Sequence, residues 1–161
     1  MLRKFGIIAV LSLMALALAA VPALAQSGHF VTGGGNAPSC RDAGTTVVCT
    51  AKVAGLGGTT FEVQIDAVGI ASVTCTNPGG NVAPGQDTTV ETSGTTGTLP
   101  TPRNGAATVS VSTLEPAPLP ATPTCPNAMW TPTITDVTFT EATLTLLEDG
   151  VISDQITVPV T

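Results

Sequence analysis

The sequence has little of the cationic chemistry that binds nucleic acids or anionic lipids. Only five of its 161 residues are Lys or Arg, and two of these, Arg3 and Lys4, lie at the amino terminus. Residues 26–161 therefore carry three cations against 11 carboxylates, which gives a formal net charge of −8. Both kinds of partner need clustered Lys or Arg. We therefore expect no nucleic-acid partner and, once the amino-terminal segment described below is removed, no membrane partner.

Groups that commonly carry catalysis are also scarce. The single histidine, His29, lies in an amino-terminal segment where a general base would be poorly positioned. Tyrosine is absent, and aromatic residues make up 3% of the chain, which leaves few platforms for sugar rings. The four cysteines lack the close paired spacing of zinc ligands. The sequence therefore predicts no enzyme, no cofactor and no metal site.

Residues 1–25 have the pattern of a signal peptide. Arg3 and Lys4 precede an apolar run from Phe5 to Ala20, and Ala23-Leu24-Ala25 forms a small-x-small cleavage site. No later apolar run approaches the roughly 20 residues that span a bilayer. We expect a secreted protein whose residues 26–161 form a single domain; the alternative is an uncleaved amino-terminal anchor.

Four cysteines in an exported chain predict two disulfides. They are Cys40, Cys49, Cys75 and Cys125, and three pairings are possible. Residues 42–45 have turn chemistry, and a hairpin there brings Cys40 opposite Cys49. This favours Cys40–Cys49 together with Cys75–Cys125.

Most of the chain alternates between apolar and polar residues with a period of two, which is typical of β-strands. Threonine, whose branched Cβ suits an extended backbone, occurs 28 times, all after residue 25. Asp149-Gly150 separates two β-rich runs and predicts a hairpin. The expected strands lie within residues 45–53, 60–68, 70–76, 106–113, 134–140, 141–147 and 151–160.

Seven to nine short antiparallel strands must stack as two sheets or close on themselves to bury their apolar faces. We expect an all-β fold, an antiparallel β-sandwich of immunoglobulin-like character, with a jelly roll or a small β-barrel as the alternative. Val47-Val48-Cys49 resembles the second strand of immunoglobulin domains. However, Trp130 follows all four cysteines instead of lying between a bridged pair, and no tyrosine is present for a tyrosine corner. The resemblance therefore implies architecture only.

Asp154 interrupts the apolar pattern of the last strand. If Ile152, Ile156 and Val158 point inward, Asp154 does too, and an unpaired buried carboxylate is costly. A β-bulge or an edge-strand position would explain it. A calcium site is the alternative.

Residues 114–126 contain five prolines and predict an extended crossover between strands. This segment is either a rigid connector or a recognition strap with Pro118 and Pro120 as contact residues. Shortly after it, Met129 and Trp130 either cap one end of the core or form an exposed anchor for a partner.

We therefore expect a secreted, non-catalytic β-sandwich that serves as an extracellular structural or interaction module. Export, two disulfides and an acidic, threonine-rich shell give a durable scaffold with loops free to bind an extracellular protein partner. Two alternatives remain. One is a carrier of a small apolar ligand between the sheets, and the other is a secreted hydrolase inhibitor with a disulfide-braced loop.

Overall fold

A computed structural model describes residues 27–161, so the expected signal peptide lies outside the described residues. The described part contains ten strands, a 3-10 turn at Gly34–Asn36 and a short helical turn at Ala121–Thr124. No helix in this part is long and apolar enough to cross a membrane. The strands are β1 (His29–Phe30), β2 (Ser39–Asp42), β3 (Val47–Ala54), β4 (Thr60–Thr76), β5 (Val82–Pro84), β6 (Thr88–Thr95), β7 (Leu99–Pro100), β8 (Ala106–Ser112), β9 (Thr131–Glu148) and β10 (Val151–Pro159).

The strands form two antiparallel sheets that pack face to face. In sheet A, β3 is central; β8 pairs along one edge, and β1 and β2 share the other. In sheet B the order is β10-β9-β4, and β5, β6 and β7 share the remaining edge of β4. The sheets do not close into a barrel within residues 27–161. The prediction of an all-β sandwich is therefore confirmed, and the barrel alternative is wrong.

The core lies between the two sheets and follows the predicted alternation. Along β4 every second residue from Phe61 to Cys75 is buried, and the residues between them face solvent or are half-buried. Sheet A contributes the inward side chains of β3 and β8, and β9 contributes a third apolar row. The largest fully buried apolar side chains are Val47, Val53, Val63, Ile65, Val137, Leu144 and Leu146.

Two expected strand breaks are absent, because β4 and β9 each run as one strand of 17 and 18 residues. Gly69 was expected to separate two strands, but it lies in the middle of β4. A Cβ at this position would lie 2.5 Å from Val137 Cγ1 and 2.8 Å from Phe139 Cδ1, so glycine lets β4 pass close to these core side chains. Two register shifts on β9, near Thr140 and Thr135, absorb its extra residues as bulges.

Backbone hydrogen bonds join the sheets at both lateral edges. Beyond β10 the chain leaves sheet B: Val160 forms a parallel bridge with Cys40, and Asp42 N donates to Thr161 O at 3.0 Å. On the opposite side, Leu114 N donates to Ser93 O at 2.8 Å. The two layers are therefore connected by main chain as well as by core packing.

Both disulfides have the favoured pairing. Cys40 and Cys49 are direct cross-strand partners in the β2–β3 hairpin, with Cα atoms 4.1 Å apart. Its turn is fixed by Asp42 Oδ1, which accepts the Gly44 N–H at 2.8 Å. Cys75, on β4, pairs with Cys125, which is 50 residues away in the connection between β8 and β9.

A β-bulge between Ile152 and Asp154 confirms the first explanation for the misplaced carboxylate. Asp154 is half-buried, and its Oδ2 accepts the Phe30 N–H at 2.8 Å. The expectation that Ile152 points inward is wrong: this side chain is 62% exposed, because the bulge reverses the alternation at this point. Within residues 27–161 no group of three or more acidic, His or Cys residues could hold a metal ion.

Gly69→Ala tests the close approach of β4 to β9. The added methyl group overlaps Val137 and Phe139, so we expect the free energy of unfolding to fall by about 1–3 kcal/mol. Urea denaturation measures this change. Gly33→Ala is the control, because its Cβ meets nothing within 4 Å; equal effects of the two variants would contradict the argument.

Candidate interaction surface

The predicted crossover at residues 114–126 is part of a longer connection, residues 114–130, here called the crossover segment. It carries the chain from β8 in sheet A to β9 in sheet B without forming a strand. It is fixed at both ends. Leu114 hydrogen-bonds to β6 as described above, and Thr124 O accepts the Gln86 N–H at 2.9 Å. The disulfide to β4 then holds Cys125, which is buried. Between these anchors Leu119 is half-buried and packs against the core.

The four expected contact residues all lie on this segment, but the structure does not gather them into one site. Pro118 and Pro120 are exposed, and Pro118 lines a surface cleft that Pro120 does not reach. Met129 is 72% exposed and Trp130 is half-buried. These two follow a turn in which Asn127 Oδ1 accepts the Met129 N–H at 2.9 Å.

The cleft beside Pro118 lies between the crossover segment and the start of β9. Its volume is about 280 Å³; Pro116, Pro118 and Leu119 line one side, and Pro132 and Ile134 the other. Small-molecule sites usually measure about 300–1,000 Å³ and are enclosed. This open, mostly apolar cleft therefore suits a side chain of a partner better than a whole ligand.

Sequence reasoning missed Leu114, which is 72% exposed at the beginning of the crossover segment. The available signal was a large apolar residue directly after the alternating run of β8 and before the first proline. Leu114 and Met129 together provide exposed apolar surface close to the two anchored ends of the crossover segment.

The other clefts described in residues 27–161 open on the outer faces of the sheets. Two of about 220 and 290 Å³ lie side by side over β4 and β6 and share Asp66 and Ser93. None of these clefts opens between the inner faces, where fully buried side chains such as Val63, Ile65 and Leu144 fill the space.

A pair of carboxylates at the β9–β10 hairpin binds backbone amides of neighbouring segments. Glu148 is fully buried; its Oε2 accepts the Gly28 N–H at 2.9 Å and its Oε1 accepts the Gly57 N–H at 2.7 Å. A Cβ at residue 28 would lie 2.6 Å from that Oε2, so glycine is required there. Glu148 thus ties the amino-terminal segment and the β3–β4 loop to the hairpin.

The adjacent carboxylate, Asp149, is held in its ionised form by the same loop. Its Oδ1 accepts the Thr59 hydroxyl at 2.7 Å and the Thr60 N–H at 2.9 Å. The Thr59 hydroxyl, followed by the backbone amides of Thr60 and Thr59, lowers the pKa of Asp149 from 3.8 to about 2.

Glu62, on the outward side of β4, is stabilised in a similar way. The Thr95 hydroxyl and then the Gln64 amide lower the pKa of Glu62. Thr95 donates to Oε1 at 2.7 Å and Gln64 at 3.0 Å. Both carboxylates therefore keep their negative charge in mildly acidic solution.

No protein-family model, curated protein or solved structure matches the chain.

Replacing both Cys75 and Cys125 by Ser tests the anchor of the crossover segment. Opening a 50-residue loop should lower the free energy of unfolding by about 4 kcal/mol in the chain-entropy model. We also expect chymotrypsin to cleave after Met129 or Trp130 faster than in the unaltered protein. The matched control, Cys40→Ser with Cys49→Ser, should lose about 3 kcal/mol without faster cleavage at these sites. Equal cleavage rates in the two variants would show that the disulfide does not hold the segment.

Asp149→Asn tests the hairpin contact through its pH dependence. Because the pKa of Asp149 is depressed in the folded protein, its contribution is complete above about pH 4 and is lost as the pH falls towards 2. We therefore expect the variant to be less stable than the unaltered protein at pH 7 and the difference to shrink below pH 4. Urea midpoints at several pH values measure this, with Asp87→Asn, an exposed carboxyl, as the control. A difference in stability that stays the same at every pH would refute the role given to the ionised Asp149 carboxylate.

Proposed function

We propose that the protein is exported and acts outside the cell as a non-catalytic module that contacts a protein partner through the crossover segment. The observation that carries this proposal is that exposed apolar side chains, Leu114 and Met129 at 72% each, lie on a segment anchored at both ends. Large apolar side chains held on a fixed backbone bind with a smaller loss of conformational entropy than those on a mobile loop.

Support for export comes from the amino-terminal sequence and from the sulfur chemistry. All four cysteines form disulfides, which persist in oxidising compartments and are rare in reducing ones. The pattern of residues 1–25 is that of a signal peptide.

A binding role fits the acid–base properties of the surface better than catalysis does. Hydrogen bonds lower the pKa of Glu62 and the pKa of Asp149, whereas a general acid at neutral pH needs a raised pKa. Glu62 accepts a hydrogen bond from Thr95 on β6, and Asp149 accepts one from Thr59 in the β3–β4 loop, so both carboxylates join neighbouring parts of the fold.

The crossover segment also suits a partner that binds rigid, proline-rich peptides. Prolines restrict the unbound conformations, so less ordering is needed when a partner docks. The cleft next to Pro118 can receive one side chain of that partner.

A secreted hydrolase inhibitor is the second candidate, favoured by the backbone between Pro120 and Pro123. Thr122, which is exposed, interrupts the helical turn at Ala121–Thr124 with an extended backbone, φ −117° and ψ 134°, three residues before the disulfide at Cys125. Proteases bind extended backbone, and a disulfide this close would slow the release of a cleaved loop. Nothing specific favours a carrier, because side chains fill the space between the sheets.

Cross-linking in the culture medium of the producing cell tests the proposal. Residues 26–161 with an amino-terminal tag are added to the medium, and captured proteins are quantified by mass spectrometry. We expect one defined partner whose capture falls at least about tenfold for Met129→Ser combined with Trp130→Ser. Ile152→Ser, at an exposed site on the hairpin, should leave capture unchanged. Capture of a protease would select the inhibitor candidate, and equal capture by both variants would refute the proposed surface.

A further inference from the structure

The strands of the two sheets carry charges of opposite sign. The strands of sheet B contain seven of the 11 carboxylates and neither Lys nor Arg. Those of sheet A contain Arg41 and Lys52 and a single carboxylate, Asp42. Asp42 is engaged locally, since its two oxygens accept the N–H groups of Gly44 and Phe139. The sandwich is therefore polarised across its thin dimension.

The outer side of sheet B, here the acidic face, has an apolar centre. Val68 and Ile70 are 52% and 48% exposed on the outward side of β4. Glu91 is the cross-strand partner of Val68, and Thr89 and Thr138 flank Ile70. The face is defined by its five outward carboxylates, Glu62, Asp66, Glu91, Asp136 and Glu141.

Exposed branched apolar residues in the middle of a charged sheet face resemble the centre of an interface with a charged rim. The carboxylates cannot be neutralised within sheet B, because its strands carry no cation. At least one of them, Glu62, is held ionised by Thr95 and Gln64. A surface that covers this face must therefore bring cations with it.

The outer side of sheet A, here the basic face, supplies that chemistry. Lys52 and Arg41 lie on neighbouring strands, and the outward residues between them are small, uncharged ones such as Thr50. A shallow depression of about 130 Å³ lies beside Lys52 and another of about 160 Å³ beside Arg41, so the surface has relief next to each cation. Val48, half-buried on β3, adds an apolar contact.

We propose that copies of this chain stack head to tail, with the acidic face of one copy on the basic face of the next. The occupant of the acidic face is thus a second copy, chosen because its sheet A carries the complementary charge. Complementary electrostatic potentials favour this stacking over the pairing of two acidic faces, which would place carboxylates against carboxylates. Since the two contacting faces differ, the association leaves a free face at each end and extends into an open chain.

Two copies of net charge −8 repel each other, but salt ions screen this repulsion at long distance. At physiological ionic strength the Debye length is about 8 Å, so groups in direct contact dominate the interaction. Two cations against five carboxylates make each contact weak. The stacking therefore depends on concentration and on salt, and it goes beyond the partner proposed for the crossover segment.

Sedimentation velocity of residues 26–161 over a wide concentration range tests the stacking. We expect the weight-average sedimentation coefficient to rise with concentration at about 150 mM NaCl, and the association constant to fall at least about tenfold between about 150 mM and about 1 M NaCl. Val68→Thr with Ile70→Thr removes the apolar centre and should weaken association about fivefold or more. A chain that stays monomeric at low salt and high concentration would overturn the proposal.

A charge-reversal pair makes the test specific for the two faces. Arg41→Glu with Lys52→Glu makes the basic face acidic as well. Asp66→Lys with Glu91→Lys places two cations beside Val68 and reduces the charge of the acidic face from −5 to −1, so each variant loses one of the two complementary faces and keeps the other. We expect each variant alone to be monomeric and an equimolar mixture of the two to associate again. Each double change shifts the formal charge of −8 by four, so both variants remain net negative and general attraction does not explain recovery in the mixture.

Controls keep the outcome interpretable. Asn81→Lys, Gln86→Lys and Asp87→Lys together make the same change of charge, +4, at exposed loop positions on either side of β5, and this variant should associate like the unaltered protein. Circular dichroism and thermal unfolding verify that each variant folds. Association that survives both reversals would refute the proposal; if it were then lost on Met129→Ser with Trp130→Ser, it would belong to the crossover segment instead. Failure of stacking alone leaves the proposed function untouched.

Discussion

The antiparallel pairing of β4 with β9 is the contact on which the rest of the structure depends. These two strands form the centre of sheet B and run along each other from Phe61 to Thr76. β5, β6 and β7 add to the free edge of β4, and β10 adds to β9. The crossover segment is attached to β4 through Cys75, and the hairpin carboxylates sit at the end of β9. Gly69 is central to this arrangement because a side chain there would push the two strands apart.

Backbone amides take the place that cations have in most proteins. With three Lys or Arg after residue 25, the carboxylates find their partners in the main chain: Asp42 binds Gly44, Glu148 binds Gly28 and Gly57, and Asp154 binds Phe30. Hydrogen bonds from N–H groups to ionised carboxylates are stronger than neutral ones. Five of the remaining acids lie on the outside of sheet B, which produces the difference in charge between the faces; they are Glu62, Asp66, Glu91, Asp136 and Glu141.

Local features of the fold were predictable, and most long-range ones were not. The Cys75–Cys125 disulfide, which spans 50 residues, was predicted only because the local hairpin paired Cys40 with Cys49 and left these two cysteines. Alternation identified the inward rows of β3 and β4, and the turn residues at 42–45 gave the first disulfide, because both depend on neighbours in sequence. The continuity of β4 through Gly69 depends on Val137 and Phe139, which lie far along the chain. The contact of Glu148 with Gly28 spans 120 residues and has no local signal. For the candidate surface, the prolines indicated the crossover segment. That the two outer faces carry opposite charge could not be predicted, because it depends on which strands form each sheet.

The position of β9 in the chain has a consequence for how the molecule is made. Its pairing partner β4 is synthesised more than fifty residues earlier, and the bridge at Cys40 uses Val160, which lies beyond β10. Pairings between such distant segments fold slowly, since the intervening chain must be ordered first. Until β9 emerges, β4 presents a long unpaired edge of apolar, β-prone residues to other nascent chains. Productive folding therefore competes with aggregation until β9 and β10 are synthesised, and it favours a chain kept extended or chaperoned until residues 131–161 are available.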